Sequence, residues 1–198
     1  MGDVEIRESR AGDFPSIEKL YRDAFPDEDL LPVVHELLDS ASGVLSLVAI
    51  DDGVLLGHGV FTACTIVETN DAAALLGPLA VVPSRQRQGI GRKIIDAGLQ
   101  RLRADGVHLV YVLGDPDYYG RYGFAPERGV SPPYALPEEW RDAWQSIDLG
   151  DVPLSRAGTL SVPEPWRQPA LWAGSACAAK PARNCLLMGE RRWASAAR

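Results

Sequence analysis

Gln86-Arg87-Gln88-Gly89-Ile90-Gly91 is the stretch of this 198-residue chain whose residue types and spacing point most directly to chemistry. Two glycines one residue apart, at the start of an amphipathic segment, let backbone N–H groups converge on an anion at a helix N-terminus. Arg85, Arg87, Arg92 and Lys93 gather positive charge around the same turn, which suits a phosphate or pyrophosphate. Two other phosphate loops are excluded. A Walker A loop requires glycine directly before Lys-Ser or Lys-Thr, a pairing this chain lacks. A dinucleotide-binding turn requires glycine or alanine three residues after its second glycine, where Ile94 stands.

The elements around the turn must hold it in place. Val4 to Arg7 reads as a short strand, and Asp13 as the N-cap of a helix presenting Ile17, Leu20, Tyr21 and Ala24 at helical spacing. A second helix is predicted over Leu31 to Ser40. Leu45 to Ile50, Val54 to Val67 and Ala72 to Val82 read as an antiparallel meander joined by Asp51-Asp52-Gly53 and Glu68-Thr69-Asn70-Asp71. The helix opening near Gly89 buries Ile94, Ile95, Gly98, Leu99 and Leu102 and stops before Gly106. His108 to Leu113 is then a strand parallel to the one before the helix. Asp115-Pro116 starts a short helix through Tyr118 and Tyr119 that ends near Gly123. Pro78 cannot donate to a sheet ladder, so Gly77-Pro78 marks a break or bulge in a buried strand, or that strand begins only at Leu79.

Strand, Val82-Pro83, and Q-x-x-G-x-G opening a helix together resemble motif A of the GNAT N-acetyltransferases. Tyr119-Gly120-Arg121-Tyr122-Gly123-Phe124 is similar to the Y-x-[KR]-x-G-F that closes the same core. The wording on both sides of the loop is most similar to the YhbS-like branch. The resemblance spans residues 3 to 126 and thins out beyond. It implies an α/β fold with a mixed, mostly antiparallel sheet, a splayed parallel pair and flanking helices. It also implies acetyl-CoA as cosubstrate, its pantetheine arm entering the splay and pairing with Leu79, Ala80, Val81 and Val82. In that reading the N–H of Val81 holds the acetyl carbonyl. Arg87, Gln88, Gly89, Ile90, Gly91 and Arg92 take the pyrophosphate, with Gln86 beside them. Tyr119 either protonates the departing sulfur, an unperturbed phenol being about as strong an acid as a thiol leaving group requires, or packs on the cofactor for shape alone.

The general base stays open among Glu68, Asp71, His58 and deprotonation through water. Tyr21, Phe25, Asp27, Glu28 and Asp29 are candidates for an aromatic wall and an acidic lip facing a cationic amine. Trp140, Trp144, Trp166 and Trp172 either close over a pocket or staple a loop-rich end to the core. The implied activity is direct acetyl transfer to a primary amine of a small molecule or peptide. No cysteine in the motif region supports an acyl-enzyme, and no metal is required. The alternatives are a non-catalytic acyl-CoA sensor and an acyltransferase with another acyl group.

Composition sets outer bounds. Hydrophobic residues at 46% and charged residues at 24% suit a globular chain. One catalytic domain is expected over residues 1–173, with a core at 3–126 and a divergent part at 127–173. A net charge of -7 argues against nucleic acid and anionic membrane as partners. With no membrane-length apolar run and no leader pattern, the cytoplasm is the expected location; homodimerisation is left open. Cys64, Cys177 and Cys185 form neither a paired framework nor a zinc spacing. Residues 174–198 carry five bases and one acid, +4 against -11 for the remainder, and read as a weakly anchored extension without assigned function.

Overall fold

The computed structural model describes residues 4–39, 42–150 and 157–172. Strand β1 (Glu5–Glu8) lies antiparallel to β2 (Val44–Asp51), and β2 to β3 (Val54–Ile66). The β2–β3 turn has Asp52 at φ 48 and Gly53 at φ 77, and positive φ at both central residues matches the right-handed twist of a hairpin. β3 continues antiparallel into β4 (Ala72–Val81). The meander predicted from turn chemistry is present to within one residue at each strand end.

Helix α1 (Phe14–Ala24) buries Ile17, Leu20, Tyr21 and Ala24, and α2 (Leu31–Asp39) buries Val33, Val34 and Leu37; the predicted end at Ser40 falls outside the described residues. Asp13 precedes α1 but makes no capping bond with its side chain. A 3-10 turn over Ala11–Asp13 leads straight into the helix. The Asp13 carboxylate instead takes both Arg7 nitrogens, at 2.7 and 2.9 Å, and the Arg10 N–H at 2.7 Å. Two charge-assisted bonds outweigh one cap.

Helix α3 (Ile90–Ala104) is followed by Gly106 at φ 80 and by β5 (Leu109–Leu113), parallel to β4. That pairing covers only Ala73–Leu75 against Leu109–Tyr111, so the two strands separate beyond it. On its other side β4 fits three residue steps, Leu76 to Leu79, opposite two in β3, Phe61 to Gly59. The extra residue is a β-bulge at Gly77-Pro78. The irregularity expected from Pro78 is therefore inside the strand, and the strand does not start at Leu79.

After α4 (Pro116–Tyr119), the described C-terminal part forms β6 (Ala125–Pro126), β7 (Val130–Ser131), β8 (Trp144–Asp148) and β9 (Gly158–Ser161), none of which periodicity revealed. The main strand order is β1-β2-β3-β4-β5-β8-β6, with β9 pairing β3 and β7. β5 alternates faces: Leu109, Tyr111 and Leu113 join the core under α1 and α2, Val110 and Val112 the core under α3. Three tryptophans pin the last segments. The indole N–H of Trp144 donates to Val130 O at 2.8 Å, that of Trp166 to Thr62 Oγ1 at 3.1 Å, and that of Trp172 to Trp166 O at 2.9 Å. Of the four tryptophans expected there, Trp144, Trp166 and Trp172 are buried and Trp140 is half-buried. Among the described residues no helix is long and apolar enough to cross a membrane.

Candidate active site

The splay between β4 and β5 and the loop into α3 share one end of the sheet. Val82 N–H donates to Leu56 O at 2.9 Å. Because successive residues of a strand turn their backbone groups to opposite edges, Val81 presents its N–H and C=O away from β3, towards the splay. Leu79 does the same, whereas Ala80, paired with His58, turns to β3. The Val81 carbonyl accepts from Gln86 Nε2 at 3.2 Å, which ties the loop to the strand. Of the four predicted strand contacts, Leu79 and Val81 thus have backbone groups aimed into the gap; Ala80 and Val82 hold them against β3.

The loop has Arg87 at φ 60 and Gly89 at φ 82, and the glycine takes the left-handed conformation without the penalty a side chain would bring. Lys93 N–H closes the first helical bond onto Gly89 O at 3.0 Å. The N–H groups of Ile90, Gly91 and Arg92 precede that bond and point out of the helix end. Ile90 and Gly91 are buried, while Arg87, Gln88 and Gly89 lie nearer the surface. Around the loop, Arg85 bonds Asp51 at 3.0 Å and Gln88 at 3.1 Å, and Arg92 pairs with Asp96 at 3.3 Å on the open surface.

Tyr118 and Tyr119 enter from α4, whose first turn is capped by Asp115 accepting from Asp117 N–H at 2.9 Å. A Cβ on Gly91 would stand 2.4 Å from the Tyr118 hydroxyl, so only glycine permits this approach of α4 to the loop. The Tyr118 and Tyr119 rings meet edge-on at 4.9 Å, and Arg121 stacks 5.3 Å above Tyr118. Tyr119 is buried, and burial first, then Tyr122 and Asp115, push its phenol above the ordinary tyrosine range. The expectation of an unperturbed phenol is corrected accordingly. The group is held protonated throughout the physiological range, as a proton donor must be.

The three named base candidates do not converge on the splay. Glu68 accepts from the Thr159 N–H at 2.7 Å, and Asp71 from the Thr69 hydroxyl at 2.7 Å. Both sit at the β3–β4 turn, and β4 at about 3.3 Å per residue carries the chain nearly 30 Å from there to Val81. His58 is fully buried on β3, bonded to Tyr21 Oη at 3.0 Å and to Ser46 Oγ at 2.8 Å. Burial pushes its pKa down to about 3, with a small opposing effect from Asp13. A neutral imidazole with both nitrogens engaged is not a free base facing solvent. Tyr21, expected in an acceptor wall, is itself in the core and donates to Pro78 O at 3.3 Å; Phe25 stacks on it at 5.8 Å.

A family model described as an acetyltransferase (GNAT) domain matches residues 5–126. The chain belongs to the GNAT family. It is 34% identical over 160 residues to the N-acetyltransferase YjhQ of Escherichia coli (strain K12), spanning 77% of this chain and 88% of that protein. The crystal structure of E. coli YhbS in complex with CoA superimposes with a TM-score of 0.77 at 27% identity, covering 85% of this chain and 94% of that one. A GNAT acetyltransferase from Brucella melitensis in complex with acetyl-CoA gives a TM-score of 0.66 at 30% identity, covering 84% and 99%. The GNAT core thus coincides with β1 through β6, and the tryptophan-stapled part beyond Pro126 lies outside the matched family region. Sequence reasoning missed Ser9 and Ser46, whose hydroxyls lie 2.6 Å apart next to His58. Isolated serines carry no local signal of a partner 37 residues away.

Proposed function

We propose that this chain is a cytoplasmic N-acetyltransferase that moves the acetyl group of acetyl-CoA onto a primary amine of a small molecule or peptide, by direct attack in a ternary complex. The observation that carries it is the alignment of three features at one end of the sheet. These are the open β4–β5 gap with Val81 N–H aimed into it, the outward-pointing N–H groups opening α3, and the protonated Tyr119 beside them. Acetyl-CoA supplies the activated acyl group. Leu79 and Val81 would pair with the pantetheine amides as a further strand would, and Val81 N–H would strengthen its bond as negative charge gathers on the acyl oxygen. The N–H groups of Ile90, Gly91 and Arg92, with Gln88, Gly89 and Arg87 next to them, would take the pyrophosphate. Tyr119 would donate its proton to the leaving thiolate.

The catalytic unit is taken as residues 1–173, a reading supported by β9 pairing Thr65 and Ile66 of β3. A cavity of about 600 Å³ lined by Val130, Tyr134, Leu136 and Trp144 lies across β5 from the splay, and would be a place for the acceptor. Titration calorimetry with acetyl-CoA, followed by a thiol-release screen over amines, polyamines and peptides, tests the reading. Tyr119→Phe is expected to keep CoA affinity and lose about 10²- to 10⁴-fold in turnover. Binding without release for every amine would favour a sensor over an enzyme, and unchanged turnover in the variant would remove Tyr119 from the acid role.

A further inference from the structure

We propose that Gln145, on β8, is a positioning residue that sets where Tyr119 stands by holding the junction from which α4 leaves the sheet. This rests on the reading of Tyr119 as the acid of acetyl transfer. It also gives a part in the site to a strand beyond the matched family region at residues 5–126.

Gln145 is 0% exposed and stands opposite Val112 of β5. Residues paired across a sheet point to one face, so its amide shares a layer with Val110, Val112, Tyr119 and Phe124, apolar except for the phenol. An amide is stable in such a layer only where its polar atoms find partners. Its Nε2 donates to Gly114 O at 2.9 Å and, less closely, to Ala143 O at 3.4 Å. Among the described residues its Oε1 has no hydrogen-bond partner. A leucine or methionine would fill the same space without stranding an oxygen, so packing alone does not account for a glutamine. What the amide adds is the hold on Gly114.

Gly114 lies one residue past the end of the β5–β8 pairing, which closes at Leu113 opposite Trp144. Its N–H still donates to Ala143 O at 2.9 Å. The reciprocal bond of such a pair would come from the Ala143 N–H, which instead donates to Trp140 O at 2.9 Å. The Gln145 side chain takes its place. Both backbone groups of Gly114 are thereby fixed, and with them the direction in which the chain departs.

The hold passes to Tyr119 over a short path. Asp115 follows directly; its side chain accepts from Asp117 N–H at 2.9 Å, and its carbonyl from the N–H groups of Tyr118 at 3.0 Å and Tyr119 at 2.9 Å. Pro116, the first residue of α4, has a φ locked by its ring. The far end of the segment returns to the same strand, where Ala125 and Pro126 pair with Ser146 and Gln145. β8 therefore grips both ends of the excursion that carries Tyr119. A helix of four residues is too short to sustain itself, and a reacting group must be held to within about 0.5 Å and 10–20°. The junction at Gly114 supplies that constraint.

Gln145→Met keeps the length and apolar bulk of the side chain and removes its donor. With an amine taken from the screen, kcat is expected to fall about 10- to 10²-fold, with acetyl-CoA affinity unchanged. Because Gln145 acts through Tyr119, the same substitution made in Tyr119→Phe should lower kcat by less than about threefold further. Wild-type turnover in Gln145→Met, or a full multiplicative loss in the double variant, overturns the assignment. So does failure of both Gln145→Met and Gln145→Leu to fold, which would make the amide a requirement of the core and not of the site. Hydrogen exchange needs no acceptor. The amides of Tyr118 and Tyr119 should exchange at least about tenfold faster in Gln145→Met, with those of Val110 and Val112 unchanged. Unaltered protection of α4, or loosening that spreads along β5, refutes the hold on Gly114. If the wild type releases no thiol with any amine, or Tyr119→Phe turns over unchanged, the acid reading fails by itself, and hydrogen exchange then decides the hold.

Discussion

Replacing Gly91 with alanine probes the join between the loop and α4. The new Cβ would lie 2.4 Å from the Tyr118 hydroxyl, whereas ordinary contact begins at 3.4 Å, so the phenol must retreat by the 1.0 Å difference. Tyr118 has little room for that, with Tyr119 edge-on at 4.9 Å, Tyr122 at 5.3 Å and Arg121 above the ring. The displacement passes to Tyr119. A misplacement of about 1 Å at a reacting group can lower turnover about 10²-fold, while the backbone N–H at this position is retained and acetyl-CoA affinity should change far less. Overpacking costs about 1–3 kcal/mol, and alanine over glycine in a helix returns about 0.5–1 kcal/mol, leaving a net loss near ~1 kcal/mol in urea denaturation. Tyr118→Phe provides the internal control. Without its oxygen the nearest ring atom is Cζ at 3.7 Å from the Cβ position, an ordinary contact. The double variant should regain the turnover of Tyr118→Phe alone and exceed its stability by about 0.5–1 kcal/mol. Wild-type turnover in Gly91→Ala, or a double variant no better than Gly91→Ala, would refute this packing argument.

Glu127 is buried and accepts from Ser146 Oγ at 2.6 Å and from the N–H groups of Gly129 at 2.6 Å and Arg128 at 2.8 Å. Burial opposes its ionisation, but these bonds prevail and lower its pKa from 4.5. Its contribution to stability is therefore present above that value and lost as pH falls through the lower folded-state pKa. Glu127→Gln should cost about 1.5–3 kcal/mol near neutral pH and flatten the acid limb of a pH–stability curve. Trp166→Ala removes a fully buried indole and its bond to Thr62. About 3–5 kcal/mol of stability should be lost, with early protease cleavage between Gly158 and Trp172. Burial pushes the Cys64 thiol up to about 12, partly offset by the Leu75 backbone, so iodoacetamide should leave Cys64 unmodified in the native protein and label it after denaturation, as read by peptide mass spectrometry.

The features legible in the residue order are local ones. The Asp52-Gly53 turn, the glycines of the loop, the Asp115-Pro116 helix start and the 3.6-residue stripe of α3 each act within a few residues, so composition and spacing reveal them. The order of those signals was enough to place the family core. Beyond Phe124 the strands are only two to five residues long, too short for a period to emerge, and they form because β5, β7 and β3 offer edges to pair with. Asp13 likewise follows a competition that its neighbours in sequence do not disclose, since Arg7 lies on the adjoining strand. Which ionisable groups meet was settled by the packing of the sheet and its helices. The β3–β4 turn took Glu68 and Asp71 away from the splay. The meander and α1 brought Tyr21, Ser46, His58 and the Pro78 carbonyl together across separations of 12 to 57 residues. Side-chain type states what a group can donate or accept, but its partners and its desolvation depend on strand register, which only the closed sheet supplies.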